Sequence, residues 1–241
     1  SKVSDTLIVA KGLPLKGLTY AIDEDADYKA YNVKINTGSY VFDVKTPTSE
    51  IKNIEFNLPG NHNMMNALAA LAMADVYGVS LKKIKEQLKT FKGVQRRFSY
   101  KIKTEDVVLI DDYAHHPTEI KAVAQSIREM YPDEKMLAVF QPHLFSRTQD
   151  FVDDFATALS LFDEVILLDI YPARELPIKG VTSEWLLGKI NLKNKKLVAK
   201  EKLGDEVLKS DLKVIAMLGA GDIGLLVDEV RVIIEKNQGK E

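Results

Sequence analysis

Apolar and polar positions change rhythm near residue 98. Before it, short apolar runs alternate with turn residues. Thr6 to Ala10 is one such run, and Gly12-Leu13-Pro14 and Gly17 punctuate the stretch after it. Tyr31-Asn32-Val33-Lys34-Ile35-Asn36 alternates, Thr37-Gly38-Ser39 turns, and Tyr40-Val41-Phe42-Asp43-Val44 resumes, which predicts a hairpin. Ile54 to Leu58 reads as another strand, ended by Pro59-Gly60. An Ala-rich helix should run from there to Tyr77 and stop at Gly78, with a shorter one from Leu81 to Leu88. Phe91 to Phe98 is irregular and basic, and the domain boundary is placed there: 1–97 and 98–241.

Beyond that joint the pattern is regular. Strands are predicted at 106–111, 135–140, 164–169, 196–199 and 213–218, with helices at 117–130, 149–161, 183–190, 202–209 and 222–236. Such alternation predicts an α/β domain with a mainly parallel sheet covered on both faces. The unusual residues gather just after the strands: Asp112 to His116, Gln141-Pro142-His143, Asp169 to Glu175, and Gly219 to Asp222. In a parallel sheet those ends share one edge, where open α/β sheets bind ligands. Pro117 opens a helix whose Ile120, Val123, Ile127 and Met130 fall on one face.

Composition narrows the partners. Lys and Arg number 33 against 35 Asp and Glu, a net charge of −2 that offers no footprint for nucleic acid or an anionic membrane. There is no cysteine, so thiolate metal sites and disulfides are excluded. No apolar run approaches the ~18 residues of a membrane span. The start, Ser1-Lys2-Val3-Ser4-Asp5, lacks an initiator Met and a signal pattern, so a fragment is expected.

Each motif has a plain structural reading beside a chemical one. Gly219-Ala220-Gly221-Asp222-Ile223-Gly224 fits a dinucleotide fingerprint, but no later strand brings an acidic residue for a ribose, so a tight turn facing the cleft is expected. His115, His116 and His143 do not suggest zinc, because adjacent histidines on extended chain point apart. His116 can cap the helix that Pro117 begins, and His115 is the better chemical candidate. His62, Asn63 and Asn66 are either a polar helix start or two amides on one face that match the edge of adenine. Arg96 and Arg97 read as a solvated pair. Arg147 either holds a carboxylate in a bidentate pair or salt-bridges Asp150 or Asp153.

Taken together, these blocks carry a resemblance. Gly60-x-His62-Asn63-x-x-Asn66-Ala67, Gly93-Val94-x-Arg96-Arg97-Phe98, Asp111-Asp112-Tyr113-Ala114-His115-His116-Pro117-Thr118-Glu119, Phe140-Gln141-Pro142-His143-x-x-Ser146-Arg147-Thr148, Asp169-Ile170-Tyr171-x-Ala173-x-Glu175 and Gly219-Ala220-Gly221-Asp222 occur in that order. The chain resembles the Mur ligases of peptidoglycan synthesis, and within them the branch that joins L-alanine to UDP-N-acetylmuramate. The resemblance implies a C-terminal Rossmann-like domain preceded by the later part of a central ATPase domain. That family's phosphate loop, and the acid and histidine that hold Mg2+, are not found in these residues, so this stretch by itself is expected to be inactive.

The resemblance also implies roles. ATP would phosphorylate the sugar's lactyl carboxylate, and the amine of L-alanine would displace phosphate from the acyl phosphate. His62, Asn63 and Asn66 would bind adenine, Arg97 the ATP phosphates and Asp112 the ribose. Tyr113, His115, His143 and Arg147 would form the amino-acid end, with His115 as a base for the alanine ammonium. The location implied is cytoplasmic, without membrane insertion. Leu144 stands where many members carry a basic residue, and Arg174 replaces a frequent Gly. The alternatives are the family's ligase that recycles a murein tripeptide onto the same sugar, and a stand-alone nucleotide- or amino-acid-binding module.

Overall fold

The computed structural model describes residues 17–36 and 39–239, so the apolar run Thr6 to Ala10, the Gly12-Leu13-Pro14 turn and the Thr37-Gly38 turn lie outside the described residues. The chain divides into two compact units, 1–92 and 93–241, and the basic stretch from Gly93 onward groups with the second.

In the first unit, strands β1 (Tyr20–Ile22), β2 (Tyr28–Asn36), β3 (Ser39–Lys45) and β4 (Glu50–Phe56) form one sheet in that order. β1 runs parallel to β2, and the other neighbours are antiparallel. The expected hairpin is β2–β3, and both pairings of β3 carry a bulge. Asp43 fastens these irregularities: its carboxylate accepts from the Asn53 N–H (2.8 Å) and the Asn32 amide (3.0 Å). Those two hydrogen bonds hold the Asp43 carboxyl below its usual range. Helix α1 (Asn61–Val76) buries Met64, Ala67, Leu68, Leu71 and Ala72, which matches its apolar spacing. Helix α2 (Leu81–Thr90) packs on β4.

In the second unit, β5 (Ser99–Lys103), β6 (Val108–Asp112), β7 (Met136–Phe140), β8 (Glu164–Leu167), β9 (Lys195–Leu197) and β10 (Val214–Leu218) form a sheet ordered β5-β6-β10-β7-β8-β9. Only β5, at the edge, is antiparallel. Helices α3 (Pro117–Met130), α4 (Phe145–Asp150), α5 (Val152–Leu159), α6 (Ser183–Lys189), α7 (Leu203–Leu208) and α8 (Ile223–Gln238) fill the crossovers and the C-terminus. One face of the sheet packs Leu109, Val139, Ile166 and Met217 against Leu203, Val207, Val227 and Val230 of α7 and α8. On the other side α3, α5 and α6 pack in sequence. This is the α/β arrangement predicted.

Two expectations are corrected. The helix expected at 149–161 is two helices, and the first begins at Phe145, ahead of the expected start. The Leu144 backbone has a positive φ of 74°, and a cap from elsewhere in the chain starts α4. β5 went unpredicted because its outward positions are Ser and Lys and its inward apolar residues are only Tyr100 and Ile102. The strands that matter end level. Leu218 is in register with Asp112 on one side and with Phe140 on the other, and Phe140 pairs with Leu167. The four loops after these strands therefore start from one line.

Candidate active site

Two consecutive carboxylates close β6, and both are almost wholly buried. Successive strand residues face opposite ways, so they need separate partners. Asp111 Oδ1 takes the Arg96 Nε (3.2 Å), and Lys101 Nζ lies 3.8 Å from its other oxygen. Asp112 accepts the N–H of Phe98 and of Ala114, each at 2.7 Å. Burial pushes both carboxyls above their usual range, and these partners pull against it.

Arg96 does more than pair. Its Nη2 donates to the Gly219 carbonyl, its guanidinium lies over the Tyr113 ring (5.1 Å to the centroid), and its own carbonyl accepts from the Tyr113 N–H (2.7 Å). A Cβ on Gly224 would sit 2.7 Å from the guanidinium carbon. The solvated setting expected for Arg96 is therefore corrected. The glycine-rich turn is filled by the protein: a Cβ on Gly221 would collide with the Gln141 amide oxygen and meet the Tyr171 ring at 2.8 Å. Gly219, at φ 146°, adopts a backbone that side chains disfavour. Gln141 spans the turn, accepting from the Ile223 N–H (2.9 Å) and donating to Asp222 (2.7 Å), which also pairs with Lys200 (2.6 Å).

The loop after β6 carries Tyr113, His115 and His116. His116 caps α3: its ring accepts from the Thr118 N–H while Glu119 reaches back to the His116 N–H (3.2 Å). Its ring also packs on Phe151. His115 is set differently. Its Nδ1 lies 2.9 Å from the Tyr113 carbonyl, which can only accept, so the neutral ring carries its proton on Nδ1. Nε2 is then left with a lone pair. His143, beyond β7, has the opposite tautomer, because Arg147 Nη1 donates to its Nδ1 (3.2 Å). Tyr113, His115, His143 and Tyr171 make a row of rings with successive centroids 5.3, 6.0 and 5.6 Å apart. Arg147 is partly buried and makes no ion pair among the described residues. Asp153, one of its expected partners, holds Lys189 instead (2.7 Å). The structure thus brings Tyr113, His115, His143 and Arg147 together on one edge.

The remaining expected residues are less concentrated. Arg97 is exposed, and its charge is felt at Asp112 and Glu119. Both Asp112 oxygens already accept backbone N–H groups, so the carboxylate also fixes the local fold. In the first unit, His62 and Asn66 are exposed on the first turns of α1. Asn63 turns its amide nitrogen back to the Pro59 carbonyl (2.7 Å), which leaves Asn66 as the amide with no hydrogen bond among the described residues. No group of three His, Cys, Asp or Glu among the described residues could hold a metal ion. No helix among them is long and apolar enough to cross a membrane.

This geometry yields two tests. Arg96→Met should lower stability to denaturant by the lower end of the ~3–5 kcal/mol for breaking a buried pair, since Lys101 remains. Arg96→Met/Asp111→Leu should recover most of that loss; a double variant no better than the single would remove the ion pair as cause. His143 sits below the ordinary imidazole value of 6.5, chiefly through burial and then through Arg147 and His115. Its folded pKa is depressed, so the stability its neutral ring contributes is fully present above the ordinary value of 6.5 and is lost as pH falls from there through the lower folded value. NMR titration should give a His143 midpoint below 6.5 that rises in Arg147→Met, and an unshifted midpoint would contradict this.

Known proteins share this fold and much of this sequence. Residues 96–226 match the family model described as "Mur ligase, glutamate ligase domain", and residues 3–74 match the "Mur ligase middle domain". The chain is 59% identical over 225 residues to a protein of Christiangramia forsetii named UDP-N-acetylmuramate–L-alanine ligase, covering 93% of this chain and 50% of that one. A protein of the same name from Flavobacterium johnsoniae is 56% identical, covering 98% and 53%. The solved UDP-N-acetylmuramate-alanine ligase of Thermotoga maritima superposes with a TM-score of 0.73 at 28% identity, over 93% of this chain and 48% of that one. A murein peptide ligase of Psychrobacter arcticus shares the fold, at 21% identity and a TM-score of 0.62 over 96% of this chain and 49% of that one. The chain spans about half the length of the curated relatives it matches. With one family model covering more than half of its residues and a second covering most of its first unit, the chain belongs to the Mur ligase family.

Proposed function

We propose that the chain forms the amino-acid-handling part, and some of the nucleotide-binding part, of a ligase that joins L-alanine to UDP-N-acetylmuramate at the expense of ATP, in the cytoplasm. The observation that carries the reading is the Arg147 cluster: a partly buried guanidinium without a carboxylate partner among the described residues, beside two histidines of opposite tautomer. L-Alanine offers little apolar surface, so its charged ends must supply most of the binding. A guanidinium fits its carboxylate, and a lone pair on His115 Nε2 can take a proton from its ammonium. The freed amine attacks the acyl phosphate that ATP has formed on the sugar carboxylate, and phosphate leaves as the amide bond forms. His143, neutral and tied to Arg147, orients the guanidinium, and Tyr113 walls the site.

On the nucleotide side, His62, Asn63 and Asn66 take adenine. Asn66 reads the base edge, its amide being unengaged among the described residues, while Asn63 is partly committed to Pro59. Arg97 faces phosphate, and Asp112 has lone pairs left for a ribose hydroxyl. Mg2+ is general for such chemistry; no group of three His, Cys, Asp or Glu among the described residues could hold it, so its protein ligands would come from the rest of the ligase.

Steady-state kinetics of the complete ligase tests the division of labour. Arg147→Ala should cost about 2–4 kcal/mol in kcat/KM for L-alanine, because a carboxylate is left desolvated and unpaired, with the ATP constant barely moved. Asn66→Ala should do the reverse. A shift of the ATP constant alone in Arg147→Ala would assign this residue to phosphate and sink the reading.

A further inference from the structure

Helix α4 has no cap of its own. Leu144 precedes it at a positive φ of 74° and contributes no side-chain hydrogen bond. The cap comes from the loop after β8. Glu175 accepts the Ser146 N–H at 2.9 Å on one oxygen and the Ser146 hydroxyl on the other. The two loops are also joined through their backbones. Tyr171 N–H donates to the Pro142 carbonyl (2.8 Å), and Leu144 N–H to the Tyr171 carbonyl (2.9 Å). The Tyr171 ring stacks on His143.

This places a carboxylate beside the very guanidinium proposed to receive a substrate carboxylate. The Glu175 charge is felt at His143, and the Arg147 charge at Glu175. Yet Arg147 and Glu175 form no ion pair; Arg147 donates to His143 instead. Ser146 holds both Glu175 oxygens, one through its amide and one through its hydroxyl, and the Phe145 N–H also favours the charged carboxylate. A hydroxyl is a donor that a substitution can remove while leaving the amide in place.

We propose that Ser146 is a positioning residue that keeps Glu175 off Arg147: by tethering the second Glu175 oxygen at the start of α4 it holds the carboxylate away from the guanidinium, which stays open to the amino-acid carboxylate. The inference rests on the reading of Arg147 as the carboxylate anchor. It makes the Ser146 hydroxyl a determinant of amino-acid affinity although it touches no substrate. Capping alone predicts the opposite response to a second substitution, because a helix start already missing the hydroxyl is weakened further when the carboxylate goes.

The experiment is a cycle in the complete ligase. In Ser146→Ala the freed Glu175 oxygen should swing to Arg147, and the KM for L-alanine should rise about fivefold, the upper worth of a partly exposed ion pair, with the ATP constant unchanged. In Ser146→Ala/Glu175→Gln the competing charge is gone, and the alanine KM should return toward its original value. A crystal structure of Ser146→Ala should show a Glu175 oxygen in ion-pair contact with the Arg147 guanidinium. A double variant worse than the single, or no Arg147–Glu175 pair in that structure, would overturn the inference and leave the anchor reading standing. Formation of the pair with unchanged alanine KM would overturn both.

Discussion

Two buried carboxylates at the end of β6 need partners, and the segment Arg96 to Phe98 supplies one to each. A charged carboxylate out of water is tolerated only when paired and hydrogen-bonded. Asp111 draws in the Arg96 guanidinium, and Asp112 draws in the Phe98 amide together with the Ala114 amide. The consequences spread along the sheet edge. Arg96 reaches on to Gly219 and lies over Tyr113, so the loops after β6 and β10 are fixed by one side chain. The Tyr113 carbonyl, held in that loop, then fixes the tautomer of His115.

A second set of ties organises the loops after β7 and β8. Gln141 plugs the glycine-rich turn, and the Tyr171–Glu175 stretch is stitched to Pro142–Ser146 through backbone, ring and carboxylate contacts. Level strand ends make both sets possible, since four loops that begin on one line can be cross-linked by side chains of ordinary length. The reactive groups are thus few, and most of the polar residues near them serve to hold them. Several residues on or beside these loops, Arg96, Phe98, Leu144 and Ala173, have positive φ.

Much of this is legible in the sequence. Pro117 and the spacing of Ile120, Val123, Ile127 and Met130 give α3 with its observed bounds, because capping, Pro at the first position and an apolar stripe all agree. The clustering of polar motifs after the strands anticipates the edge on which Tyr113, His115, His143 and Arg147 meet. The parts that are not legible depend on partners distant in sequence. α4 needs Glu175, 29 residues from Ser146, to start it. Arg96 looks solvated until Gly219, 123 residues on, is folded against it. The 219–224 stretch is expected as a tight turn, but only the positions of Gln141, Tyr171 and Arg96 reveal its glycines as clearance for side chains. β5 alternates polar and apolar residues, but with only Tyr100 and Ile102 to mark its inward face the signal is too short to stand out.

The central claim is that this edge receives an amino acid by its carboxylate at Arg147 and its ammonium at His115. A structure of the complete ligase with L-alanine and a non-hydrolysable ATP analogue tests it most directly. The account predicts the carboxylate on the Arg147 guanidinium and the alanine nitrogen facing His115 Nε2. An alanine carboxylate bound elsewhere, with Arg147 instead on the phosphates of the nucleotide, would contradict it.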